Sequence, residues 1–431
     1  MVEEVIKLFL EITKIPHCSG DTVAMKNHIM QIGNGNGYRV ECDDAGNIMA
    51  YAKKSRLTLQ SHYDMVCIGS APKIETVIEN GWMSAKGSSL GADNGMGVAM
   101  MLYLMKKKME VDFLFTNDEE IGLIGANHLE LPIRTPYLLN LDSEELGKVY
   151  IGCAGGEDIH VQKRISMAFP QKGGKWFKLR STAPGGHSGV NIADGIPNAV
   201  TELCGVIYDT PSMMLHSLSG GERINAIPAH AEAVVWMPEE ETLHLEHPDI
   251  DVEALPSAER KLMKDGRALV SAVFGFAHGV RAWNRDLDLP QSSINLAEVS
   301  AKGGKVKISL SARAMANEDL HRLVVQTRAG WEALNFTTAT EGKYPAWRPV
   351  VNDFSEKVLK HYRKIVPDAE YAAIHAGLEC ALFAKKFPEL KITSVGPTIL
   401  DPHSERERVD LSSVEKIVDL VMALVDDLSS I

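Results

Sequence analysis

An α/β domain with a mostly parallel mixed sheet between helices, interrupted by an inserted α+β domain, is the fold predicted by this 431-residue sequence. Three observations predict it. Strand-like and helix-like runs alternate through about residue 173. Longer strand-like runs with few helices follow. From about residue 350 the alternating character returns. Residues 1–173 and 350–431 are therefore read as one domain, and 174–349 as an insertion. At roughly 150 residues per domain, the length suits two or three domains.

The elements follow in order. Val5, Leu8, Phe9 and Ile12 recur at helical spacing, and Pro16 ends that helix. A second helix is expected over 21–33, then strands at 38–42, 47–52 and 57–61. GMGVAMMLYLMKKK (95–108) reads as a helix whose closing lysines suit the negative end of its dipole. A strand at 111–116, a short helix from about 121 and a strand at 137–141 complete this part. In the insertion, strands are expected at 175–181, 230–236, 268–278, 292–300 and 304–313, with helices at 191–209 and 317–330. The last stretch predicts helices at 353–365 and 376–387, a strand at 391–395 and a final helix at 411–428.

Composition narrows the function classes. Acidic residues outnumber basic ones 57 to 45, giving a formal charge of −12 and arguing against a nucleic-acid partner. The six cysteines show no CxxC spacing, which argues against a zinc ribbon and against a disulfide framework. MVEEVIKLFLEITKIP opens acidic and reads as a helix, not a signal peptide. No apolar run approaches the ~20 residues that span a membrane. The expectation is a cytoplasmic enzyme with no membrane or nucleic-acid partner.

Five segments at predicted strand ends or loop starts carry the chemistry: LQSHYDMV (59–66), GADNGMG (91–97), FTNDEEIGLIGA (115–126), LLNLDSEE (138–145) and PTILDPHSERERVD (397–410). In open α/β sheets, ligands gather beyond the carboxyl ends of the strands, where such segments converge. His62 and Asp64 are two apart, so on a strand they share a face. A metal-binding imidazole commonly hands its second N–H to a carboxylate or carbonyl. Asp93 lies in a glycine-rich turn before a helix and by itself reads as an N-cap; no phosphate-loop signature follows it. Glu119 and Glu120 are adjacent, so one can bind a metal while its neighbour reaches a water, the division that metal-assisted hydrolysis needs. Asp142 directly follows an apolar strand and needs a partner. His403 follows Pro402. Apart from Asp64, two histidines and four acidic residues at strand ends make the inventory of a two-metal hydrolase, in which one carboxylate bridges ions about 3.5–4 Å apart.

These segments, with IPHCSGD, CAGGEDI, GGHSGVNI, NAIPA and HAGLE, resemble the M20 metallopeptidases, and most closely their aminoacyl-histidine (Xaa-His) dipeptidase branch. The resemblance spans nearly the whole chain. It implies two Zn2+ per chain, with Co2+ or Mn2+ as alternatives. His62 and Asp142 would bind one ion, Glu120 and His403 the other, and Asp93 both, with a cis peptide to Asn94. Glu119 would be the general base for the bridging water, and Asp64 would orient the His62 side. The insertion resembles the family's lid, which implies a homodimer formed through it. His187, Asn225, Arg313 and Gly377 match positions that hold the substrate, a small unblocked peptide, with Glu379 close by in HAGLE.

The chain departs from the family pattern at Ser61, where Gly is usual before the first histidine, and at Asn191, Ile192 and Ala193 after GGHSG. Arg223 is displaced by one residue, and the chain is shorter than a typical member. None of these is a ligand position; they bear on substrate preference. An N-acyl-amino-acid deacylase or carboxypeptidase would share the ligands, whereas a binding protein with a decayed site would have lost one. Other features read as structural: His244 and His247 as part of a solvated acidic loop, Cys67 as a buried thiol, most methionines as core filler. His375 is read as either a rim residue or a bystander.

Overall fold

The computed structural model describes residues 1–243 and 247–429. His244 lies outside the described residues. The chain divides into two units. Met1–Cys153, Trp347–Ala373 and Leu378–Ile431 form the first, and Ala154–Ala346 with Ile374–Gly377 the second.

In the first unit the strand order is Arg39–Cys42, Ile48–Tyr51, Asp112–Thr116, Leu57–His62, Tyr137–Asn140, Lys391–Ser394, Lys148–Cys153 and Glu370–Ile374. The four strands from Asp112–Thr116 to Lys391–Ser394 run parallel, and the strands flanking them pair antiparallel. Both faces of this sheet are covered, so Leu57–His62 and Asp112–Thr116 are buried at every position, as parallel strands usually are. The helix Ala92–Lys106 is buried from Ala92 to Met105, which is why it is apolar all round. Gly95 gives it close approach to the helix Val2–Ile12: a Cβ there would sit 3.1 Å from Phe9.

The second unit is built on a nine-stranded sheet whose established pairings are all antiparallel. The helices Ala199–Asp209, Gly266–Phe274 and Asn317–Ala333 contribute to its core. The fold is thus an α/β domain interrupted by an α+β insertion.

Several expectations need correction. The chain crosses into the insertion at 153/154, not 173/174, because Gly155–Arg164 pairs with both Lys305–Ala314 and Thr337–Tyr344. It returns at 346/347, where Trp347 and Cys153 exchange backbone hydrogen bonds of 2.9 and 3.0 Å. The stretch 268–278 is not a strand: Gly266–Phe274 is a helix that buries Leu269, Val270 and Val273 on one face. A short apolar stretch holding Val270, Val273 and Phe274 hid that period. The helix expected from 191 begins at Ala199, where the Asn198 side chain accepts from the Val200 and Thr201 amides. The cysteine reading also fails in one place. Cys67 is not a thiol but is joined to Cys18. Met65 N–H donates to the His17 carbonyl (3.1 Å), laying the two segments side by side and bringing the cysteine Cα atoms to 5.5 Å. That is within disulfide reach, a proximity invisible in spacing.

Candidate active site and metal centre

The four parallel strands deliver their chemistry at their carboxyl ends. His62 is the last residue of its strand, Glu119 and Glu120 follow the strand ending at Thr116, and Asp142 follows the strand ending at Asn140. His403 lies in the connection between Ile399–Leu400 and Arg408–Asp410, which pair antiparallel.

Asp93 joins these residues. Its Oδ1 is 3.2 Å from His62 Nε2, and its Oδ2 is 3.0 Å from His403 Nε2. His62 Nε2 is also 3.3 Å from Asp142 Oδ1, and His403 Nε2 is 2.8 Å from Glu120 Oε1. Two donor groups result, His62–Asp93–Asp142 and Asp93–Glu120–His403, sharing Asp93. A third group, His62–Glu119–Glu120, overlaps them. Imidazole and carboxylate donors in this arrangement have the chemistry that divalent ions such as zinc take as ligands.

Asp93 is not an N-cap. The turn before the helix places Gly91 there, the Asp93–Asn94 peptide is cis, and the Asp93 carboxylate faces the imidazoles. Asp64 and His62 meet, but not by strand alternation, since the strand ends at His62. The turn beyond it lets His62 Nδ1 donate to the Asp64 carbonyl oxygen (3.0 Å). That hydrogen bond leaves Nε2 facing the carboxylates. The Asp64 carboxylate, 1% exposed, accepts from the Glu119 amide (3.0 Å), the Glu120 amide (3.3 Å) and the Ser19 hydroxyl (2.7 Å). It thereby fixes the backbone of both glutamates. The Ser61 hydroxyl donates to the Asn94 carbonyl (3.3 Å).

Electrostatics mark the same place. Burial, then the charge of Asp93, pushes Glu120 up to about 7. Burial is also the largest influence on Asp142, raised to about 6 against the pull of His62. Glu119 stands well above the usual carboxylate range, chiefly through burial, with Glu120 and Asp142 adding to it. Burial works against charge on His403, but Asp93 and Glu120 outweigh it and raise the imidazole to about 11. Carboxylates crowded this way repel one another, and a divalent cation between them relieves that repulsion. His403 itself is in left-handed backbone (φ 56°), as is Asp118 beside Glu119 (φ 51°). Such non-glycine conformations cost on the order of 1–3 kcal/mol and cluster at functional sites.

Beneath the site lies a polar network that sequence reasoning had not assembled. Glu379 is fully buried and accepts from Gln60 Nε2 (2.6 Å) and Thr116 Oγ1 (2.7 Å). Asn140 Nδ2 donates to Gln60 Oε1 (2.5 Å), and Asn140 Oδ1 accepts from the Asp142 amide (3.1 Å). Gln60 and Asn140, amide side chains in strands that also carry Leu57, Leu59, Leu138 and Leu139, were the available signal.

The other expected residues belong to the second unit. His187 pairs in register with Ala226, and the Asn225 carbonyl accepts from the Ser188 amide (2.8 Å). Arg313, 7% exposed, donates to the Tyr344 hydroxyl (2.6 Å), and a Cβ on Gly377 would meet the Tyr344 ring at 2.8 Å. The segment 375–376 also lies against Gly189, where an added Cβ would be 2.9 Å from the His375 carbonyl. His187, Asn225, Arg313 and Gly377 are thus grouped around one stretch of chain. His375 is buried and bonds to Ser293 (2.7 Å). Burial, then Arg313, pushes it down to about 3, so it is a neutral part of that wall. Tyr344 was missed, because a tyrosine in a strand carries no signal of its own.

The profile of the peptidase family M20/M25/M40 matches residues 58–427. The chain belongs to this peptidase family. The M20 chain is 29% identical to the cytosol non-specific dipeptidase of Escherichia coli over 98% of its own length and 96% of that protein. Among solved structures, this M20 peptidase matches the aminoacylhistidine dipeptidase of Vibrio alginolyticus, with a TM-score of 0.78 and 26% identity over 99% of this chain and 96% of that one. A tripeptidase from Staphylococcus aureus shares the fold (TM-score 0.62, 14% identity, covering 100% and 99% of the two chains). No helix among the described residues is long and apolar enough to cross a membrane.

Proposed function

We propose that this chain is a dinuclear zinc dipeptidase that cleaves unblocked dipeptides, Xaa-His among them. The observation that carries the reading is the Asp93 carboxylate lying between two imidazoles, 3.2 Å from His62 and 3.0 Å from His403. His62, Asp93 and Asp142 would hold one ion, and Asp93, Glu120 and His403 the other. When bound, the ions supply Lewis acidity toward the scissile carbonyl and a lowered pKa for water. Glu119 takes the proton of the attacking water and delivers it to the leaving amine. Asp64 holds the backbone of Glu119 and Glu120 and the tautomer of His62. His187, Asn225, Arg313 and Gly377 bind the substrate, Arg313 through two parallel hydrogen bonds to its carboxylate. The insertion serves as lid and as the interface of a homodimer, and the enzyme works in the cytoplasm, as the name of the E. coli relative suggests. A reducing cytoplasm would favour Cys18 and Cys67 as thiols.

A dipeptidase must reward both free termini. A hydrogen bond to a charged group is worth ~1.5–3 kcal/mol, so blocking either terminus should cost roughly tenfold or more in kcat/KM. The expected order is Ala-His and β-Ala-His well above N-acetyl-Ala-His, Ala-His-amide and Ala-Ala-His, measured as initial rates with zinc-loaded protein. Equal cleavage of the acetylated compound would replace this reading with a deacylase or carboxypeptidase.

His187→Ala is expected to lower turnover while two ions stay bound, checked by steady-state kinetics beside metal analysis. Loss of the ions in that variant would instead assign His187 to metal binding.

A further inference from the structure

The helix Ala92–Lys106 begins in an unusual way. A helix leaves its first amide N–H groups without intrahelical partners, and a nearby Asp, Asn, Ser or Thr normally satisfies them. Asp93 is the residue placed to do so, yet its backbone departs from helical geometry (φ −83°, ψ 109°) and its carboxylate faces His62 and His403. The amides are satisfied from more than 300 residues away in the chain. Glu407 Oε2 accepts from the Leu90 (2.7 Å) and Gly91 (2.9 Å) amides, and Oε1 accepts from Ala92 (2.7 Å) and Asp93 (3.2 Å). The Glu407 residue is 2% exposed.

This is an anion seated in a cradle of backbone donors at the positive end of a helix. The same connection carries His403, four residues earlier, and the Glu407 amide closes its turn on the Ser404 carbonyl (3.2 Å). One loop therefore presents an imidazole to Asp93 Oδ2 and grips the backbone that carries Asp93. Four donors hold Glu407 in place beside the like-charged Asp93 and leave the Asp93 carboxylate free of any capping duty.

We propose that Glu407 is a positioning residue: by capping residues 90–93 in place of Asp93, it sets the shared Asp93 carboxylate between the two imidazoles and so governs the affinity of the ion pair. The inference rests on the dinuclear reading above. Partners that orient a metal ligand typically contribute about 10–100-fold to metal affinity.

The test is ion binding, read without any substrate. Full-length protein is dialysed against buffered Zn2+, and ion content is measured as free zinc is varied, with circular dichroism of the metal-free protein as the folding control. Wild type should hold two ions per chain. Glu407→Ala should bind them about 10–100-fold more weakly, and added formate, an anion sized for the vacated cradle, should restore part of that loss while leaving wild type unchanged. Glu407→Gln keeps the shape but turns an NH2 toward two of the four amides, so it should fold and still lose affinity. It decides the matter where Glu407→Ala is unfolded. Wild-type affinity in folded Glu407→Gln overturns the inference and leaves the dinuclear reading standing. A wild type that binds no ion pair overturns both.

Discussion

Glu119→Gln is expected to lower turnover by about 10²–10⁴-fold, the range typical of losing a general base, while two ions remain bound. The substitution keeps side-chain volume and removes only the ability to take a proton. Its backbone anchoring does not depend on its charge: the Glu119 amide is held by Asp64 Oδ1 at 3.0 Å, and that bond survives in the variant. Glu120→Gln is the contrasting case. Glu120 Oε1 lies 2.8 Å from His403 Nε2 within the Asp93–Glu120–His403 group, so that variant should lose ion content as well as rate. Saturating kinetics alongside metal analysis of both variants separates a base from a ligand. Undiminished turnover in Glu119→Gln would move the base elsewhere.

Removing divalent ions should abolish hydrolysis altogether, and adding back Zn2+ should restore it. The same removal should lower the unfolding temperature. Asp93, Glu120 and Asp142 are packed against two imidazoles in a largely buried space, and bound ions stabilise the folded state in proportion to their affinity for it. Thermal unfolding with and without a chelator reads that effect independently of catalysis. Full activity in metal-free protein would end the metallopeptidase mechanism for this chain. Content approaching two ions per chain after zinc loading is the expected stoichiometry.

The legibility of the site had a physical basis. His62, Glu120 and Asp142 stand at or just beyond strands whose β-type runs are legible in the sequence, and a parallel sheet gathers such positions at one edge. Asp93 was visible as a carboxylate among glycines, but its local signature favoured a cap. Only Glu407, supplied from the other end of the chain, explains why it is not one. Gln60, Asn140 and Glu379 show the same limit. Each is an ordinary polar residue until the sheet stacks Leu57–His62 beside Tyr137–Asn140 and buries Glu379 against Gln60 and Thr116. The helix Gly266–Phe274 was misread for a different reason: over a few residues, a short apolar stretch fits a strand as well as a helix.

By itself, then, the sequence determined the fold class, the interruption of one domain by another, and an inventory of histidines and carboxylates at strand ends suited to a pair of metal ions. Those properties follow from periodicity and residue chemistry, both local in the chain; the narrower ligand set His62, Asp93, Glu120, Asp142 and His403 came from the resemblance to the M20 family. Tertiary structure alone decided where the insertion begins, that Cys18 and Cys67 are joined, that Asp64 grips the amides of Glu119 and Glu120, and that Glu407 rather than Asp93 caps the helix. Each of these depends on contacts between residues tens to hundreds of positions apart. Such contacts are chosen by the packing of sheets and loops, and no local pattern encodes them.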